Sequence, residues 1–150
     1  MQNNLATPRP GKQKHFSEYL DGAQVSKDVK DHLTRYYTAV DTRGSHEEYA
    51  GSFTEDAVLT LPTGFKVRGR DALRLLHQDL WRGDVERRKH TPSKAFTSGD
   101  DAAELVILGV VEYWTKDGQY TKKDMISHFD YRRESTTGAV EVCALAVWLS

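Results

Sequence analysis

The chain has 150 residues, the length of one ordinary domain and too short for a TIM barrel or a two-domain dehydrogenase. Its 21 Lys and Arg against 22 Asp and Glu leave a formal charge of −1, which disfavours a globally basic nucleic-acid binder. Hydrophobic residues (38%) can fill a core and aromatic residues (10%) can line a pocket; the single Cys143, in the apolar run Val142–Leu145, excludes an internal disulfide and reads as a buried, inert thiol.

Residues 1–14 are polar, with Pro8, Pro10 and Gly11, and read as a flexible arm ahead of a single domain over 15–150. A short helix is expected around His15–Leu20. The start lacks a charged segment followed by an apolar stretch, and no apolar run approaches the ~20 residues of a membrane span, so the expectation is a cytoplasmic protein without a membrane partner. The first clear helix is Ser26–Asp41, where Val29, Leu33, Tyr37 and Asp41 recur every fourth residue, with Tyr36 and Val40 beside them. A second helix opens at Ser45, where Ser45-His46-Glu47-Glu48 has the capping-box form, and ends at Thr54-Glu55-Asp56. Ala57–Leu61 reads as a strand, Pro62-Thr63-Gly64 as a turn and Phe65–Arg68 as the returning strand. A third helix, Asp71–Trp81, clusters Ala72, Leu73, Leu76, Leu80 and Trp81 on one side. The rest is β: Glu86–Thr97, Glu104–Trp114, an Asp117-Gly118 hairpin, Tyr120–Arg133, and Val140–Leu149. Helices first and strands last is an α+β order, and long antiparallel strands must curl over the helices to bury one face.

The segments Arg35–Asp41, Tyr49–Leu59 and Val67–Leu73 resemble the NTF2-like superfamily, in its SnoaL-like and scytalone-dehydratase-like small-molecule branch. The resemblance runs over roughly 25–150. It implies a cone-shaped half-barrel, with a strongly curved, mostly antiparallel sheet wrapped around three N-terminal helices and an apolar pocket open at one end. It also implies catalysis without an organic cofactor, and homodimers formed through the outer sheet face. The strands here fit that last point. Val142–Trp148 is apolar on both faces, and both parities of 105–111 are apolar.

Candidate chemistry follows from ionisable residues set in apolar patterns. Asp41 ends the buried stripe of the first helix, where a carboxylate opposes the helix dipole and needs a compensating partner. The resemblance pairs it with a His from the strand after the third helix, which here is His90. A carboxylate-held imidazole has a fixed tautomer suited to proton transfer. The bland alternative makes His90 the end of the solvated charge run Arg87-Arg88-Lys89. Glu112, inside Val110–Trp114, is the expected complementary acid or base if it faces inward, taking the role of a second His that the dehydratases place nearby and this chain lacks. The Tyr that precedes the Asp in those enzymes is Val40 here, so their substrate and reaction are not carried over. Ser127 is expected inward as a hydrogen-bond donor, with Lys123, Met125 and Phe129, leaving His128 outward. Tyr37, Phe53, Leu61 and Trp81 complete the expected substrate-binding set with Met125, Ser127 and Phe129. Phosphate-cradling glycine loops and HExxH-type ligand pairs are missing from the sequence, so neither a nucleotide nor a metal is expected. The resulting expectation is a cofactor-independent enzyme that isomerises, cyclises or dehydrates a largely apolar polyketide- or terpenoid-like substrate. The alternative is a non-catalytic ligand-binding or dimerisation module.

Overall fold

The computed structural model describes residues 25–98 and 104–150. The arm over 1–14 and the short helix expected at His15–Leu20 lie outside the described residues. Helix α1 (Lys27–Val40) starts after Ser26 and carries the predicted stripe inward as Val29, Leu33, Tyr36, Tyr37 and Val40, together with His32. Its opposite face is polar, and Thr34, Thr38 and Thr42 each return their hydroxyl to the carbonyl four residues earlier. Helix α2 (His46–Gly51) is shorter than the sequence suggests. The capping box does not form: Ser45 has φ −82° and ψ 45° and makes no side-chain cap bond. That backbone is not the extended conformation that would bring the hydroxyl over the N3 amide. Its own N–H goes instead to the Thr42 carbonyl at 3.3 Å.

Strand β1 (Phe53–Thr60) begins four residues before the expected Ala57, so Phe53–Asp56 is strand and not helix end. The reason is a tertiary one. Phe53 lies in parallel register with Val142 of β6 (Val140–Leu149), and a register shift between Phe53 and Val58 absorbs the mismatch. β2 (Lys66–Arg68) turns back on β1, and α3 (Arg70–Leu80) packs across the same side. β3 (Val85–Thr97), β4 (Glu104–Thr115) and β5 (Tyr120–Arg133) then form a long meander. The six strands make one sheet in the order β2-β1-β6-β5-β4-β3, antiparallel throughout except for the parallel β1–β6 pair. The core lies between the helices and the concave face, around Leu33, Tyr36, Phe53, Leu73, Leu105, Ile107 and Phe129. This α+β arrangement, with its single curved sheet, is the cone that the family resemblance implies.

One irregularity places the site. β3 is an edge strand, and its register shifts between Pro92 and Lys94. Proline donates no ladder bond, which suits it to an edge bulge. Gly109 on β4 faces Pro92, and a Cβ there would come within 2.4 Å of the Thr91 carbonyl oxygen. The two strands thus approach closely just beyond His90.

Candidate active site

Asp41 terminates α1 with φ −90° and ψ 0°, at the foot of the buried stripe. Its carboxylate is compensated from β3. Oδ2 accepts the backbone N–H of His90 at 2.8 Å, and Oδ1 lies 2.6 Å from His90 Nδ1. Because β3 is an edge strand, alternate N–H groups lack a ladder partner, and Asp41 takes one of them. Both side chains are mostly withdrawn from solvent (13% exposed for His90, 20% for Asp41). With Asp41 ionised, Nδ1 carries the hydrogen, and Nε2, which no described residue hydrogen-bonds, presents a lone pair. Arg43 is not a partner of Asp41: its guanidinium donates to the carbonyls of Trp81 and Val85 and ties the helix turn to the start of β3.

His90 forms part of the wall of a cavity of about 110 Å³. The walls are mainly apolar: Tyr36 and Val40 from α1, Leu76 and Leu80 from α3, and Val147 and Leu149 from β6, with Leu61 and the exposed Pro62 at the β1–β2 turn. Tyr49, Arg88 and Tyr113 add the polar groups. The rings of Tyr36 and Tyr49 lie 5.8 Å apart, and burial pushes both pKa values well above the usual tyrosine range, so both phenols stay neutral. The volume is below the ~150 Å³ that holds a benzene-sized guest, so the cavity encloses part of a ring or a short chain segment and the rest of a ligand must extend past the mouth.

The remaining expected residues divide sharply. Leu61 lines the cavity. Tyr37 lies behind His90, ring centroids 5.5 Å apart, with its hydroxyl beside Ser127. Ser127 does face inward, as expected, but it is buried in this second layer, and His128 faces outward. Phe53, Met125 and Phe129 are core residues with at most 2% exposure and do not reach the cavity wall. Trp81 is buried beneath Arg88, its indole N–H donating to the Val40 carbonyl at 3.3 Å, and supports the wall from behind.

Glu112 requires a correction. In the β3–β4–β5 register His90 lies opposite Val111, which is fully buried, so the next residue points to the outer face. There Glu112 lies opposite Lys89 and Lys122 and accepts a hydrogen bond from the Tyr120 hydroxyl at 2.6 Å. It is not a cavity acid.

Three features escaped the sequence reading. Arg88, hidden in a charge run, is only 6% exposed and lines the cavity. Strand parity could have found it, since a residue two before an inward His90 is also inward. His77, fully buried on α3, has Nε2 2.9 Å from the Ala39 carbonyl and Nδ1 2.6 Å from His46 Nδ1, which joins all three helices. On the outer face Glu104, His128 and Asp130 bring potential ligand atoms within 4.8 Å of one another, the one grouping among the described residues with metal-ligand chemistry. Those positions are cross-strand neighbours, so their sequence spacing gives no motif.

Comparison with known proteins agrees with this architecture. A family model described as SnoaL-like domain matches residues 23–139. Curated protein sequences give no significant match. Among solved structures, a hexachlorocyclohexane dehydrochlorinase (LinA, type 2) superposes with TM-score 0.68 at 14% identity, over 82% of this chain and 83% of that one. ActVI-ORFA from Streptomyces coelicolor gives 0.67 at 16% identity, over 82% and 95%. Rv3472 from Mycobacterium tuberculosis, described as of unknown function, gives 0.68 at 21% identity, over 82% and 70%. Identities this low establish a shared fold and nothing finer. With the family model covering most of the chain, and a curved sheet and apolar cavity of the kind the resemblance implies, this protein belongs to the SnoaL-like family of the NTF2-like superfamily.

Proposed function

We propose that this chain is a cofactor-independent enzyme that moves a proton on a small, largely apolar substrate, with the Asp41–His90 pair as the working group. The observation that carries the reading is the 2.6 Å contact between Asp41 Oδ1 and His90 Nδ1 at the wall of an apolar cavity. In the proposed step, His90 Nε2 takes a proton from a C–H bond, and Asp41 stabilises the imidazolium that forms. Returning that proton to another atom of the substrate completes an isomerisation or cyclisation. Delivering it to a departing hydroxide completes a dehydration, with a new C=C bond and water as products. The dehydrochlorinase among the structural relatives is named for an elimination of this kind. A polyketide or terpenoid fragment fits the size and polarity of the cavity. The correction at Glu112 leaves His90 to serve as both base and returning acid.

The test is a turnover screen over small enolisable ketones and β-hydroxy carbonyl compounds, with Asp41→Asn and His90→Ala beside the parent. Loss of turnover in both variants with ligand affinity retained supports the reading; unchanged turnover in the variants refutes the role of the pair, and no turnover in the parent leaves a non-catalytic binding module.

A homodimer belongs to the same proposal. Phe96, Ile126 and Trp148 are 43–53% exposed on the outer sheet face, where Ile126 pairs with Trp148 across β5 and β6. A second copy covers this apolar face in the way the two-sided strands require. Sedimentation should give a dimer at micromolar concentration that Trp148→Asp dissociates; a monomer in the parent protein refutes it.

A further inference from the structure

We propose that Arg88 is an anion subsite within this cavity, so that the substrate carries a carboxylate, or an enolisable carbonyl whose oxygen becomes anionic, beside the group that His90 deprotonates. The inference deepens the proposed function and rests on it for the word substrate, but the binding it predicts is measurable without turnover.

Arg88 and His90 are two residues apart on β3, so both project from the same face, and both line the cavity. Arg88 is 6% exposed as a whole residue, and its guanidinium forms no ion pair among the described residues. Its Nη2 donates to the Leu80 carbonyl at 3.1 Å, while Nε is buried without a partner. Two rings hold it in place, with Cζ 5.3 Å from the centroid of Trp81 and 5.3 Å from that of Tyr113. Asp41 acts on it only through space, and that carboxylate is already engaged by two hydrogen bonds from His90. Burial depresses the guanidinium pKa, yet arginine remains charged at any working pH.

A buried charge with unfilled donors is costly unless something pairs with it. Surface arginines solve the problem with water; this one is walled by aromatic rings. A planar anionic group on a ligand supplies the missing partner, because the guanidinium fork matches a carboxylate or enolate geometrically. The phenols of Tyr36 and Tyr49 on the same cavity wall are neutral and add no competing negative charge. An oxyanion that grows during proton removal would be stabilised by the same guanidinium, which makes the subsite catalytic as well as selective.

The experiment measures binding of benzoate, which is ring-sized, against its neutral isostere benzamide, by calorimetry and by shifts of the His90 ring resonances. The parent protein should bind benzoate at least about ten-fold more tightly than benzamide, and Arg88→Met should abolish that preference while Arg88→Lys retains part of it. The benzoate preference should persist in His90→Ala and between pH 7 and pH 9, because the charge belongs to Arg88 and not to a protonated imidazole. The parent comparison needs no variant, so misfolding of Arg88→Met does not shelter the idea. Equal binding of benzoate and benzamide, or a preference that vanishes with His90→Ala or with rising pH, overturns it. Absence of turnover in the parent protein with the benzoate preference intact would instead count against the proposed proton transfer alone.

Discussion

Replacing Asp41 with Asn tests the catalytic reading at its narrowest point, because the substitution keeps shape and removes one acceptor. In the parent structure the two carboxylate oxygens accept from His90 N at 2.8 Å and from Nδ1–H at 2.6 Å. An amide has one oxygen and one NH2 group. The backbone N–H of His90 can only donate, so the amide oxygen must face it, and the NH2 group then faces Nδ1. The ring has to respond by moving its own hydrogen to Nε2, which removes the lone pair that the proposed step uses. Charge-assisted bonds contribute about 1.5–3 kcal/mol and neutral ones about 0.5–1.5, so weakening two of them costs about 2–3 kcal/mol. For a domain of this size that lowers Tm by roughly 4–12 °C, short of unfolding the protein at 25 °C. Turnover should fall about 10²–10⁴-fold, the usual worth of a positioned general base. The decisive assay is nitrogen NMR of the His90 ring, which distinguishes Nδ1–H from Nε2–H directly. Retention of the Nδ1–H tautomer in the variant, or full turnover despite the switch, refutes the reasoning. Glu112→Gln is the matched control: its carboxylate lies on the outer face, bonded to Tyr120, and turnover should be unchanged.

Two further outcomes follow from the packing around this site. His77 and His32 are buried, and desolvation lowers the pKa of each. Their unfolded pKa is about 6.5, so the unfolded state takes up protons first as pH falls; the stability they contribute is present above that value and is lost as pH falls below it. Unfolding measured at pH 7 and pH 5 should show lower stability at pH 5, with a smaller difference in His77→Gln; a flat profile in the parent contradicts the burial of neutral imidazoles. Glu134, held at about 2 by hydrogen bonds from Thr136 and Thr137, contributes its loss only at more acid pH. Gly109→Ala places a Cβ 2.4 Å from the Thr91 carbonyl oxygen and 2.8 Å from Pro92 Cα, both backbone atoms that cannot swing aside. Denaturant unfolding should show a cost of at least about 2 kcal/mol, and a cost under about 0.5 would mean that the two strands are not so closely apposed.

The sequence by itself determined the elements whose signal is local. The 3.6-residue stripe of α1 ends at Asp41 in both readings, and β5 and β6 have the predicted bounds, because hydrophobic periodicity and an Asp-Gly turn are written within a dozen residues. The Asp41–His90 pair, 49 residues apart in the chain, came from family resemblance and not from any spacing rule. Only the tertiary structure decided the rest. The start of β1 depends on parallel pairing with a strand some 90 residues later. The directions of Glu112 and Arg88 depend on the parity of β4 and β3, which is anchored by Val111 and His90 facing the core. A charged residue in a strand reads the same on either face until the sheet has been curled over the helices. Cross-strand register, a long-range property, then chose which charge went to water and which was buried beside His90.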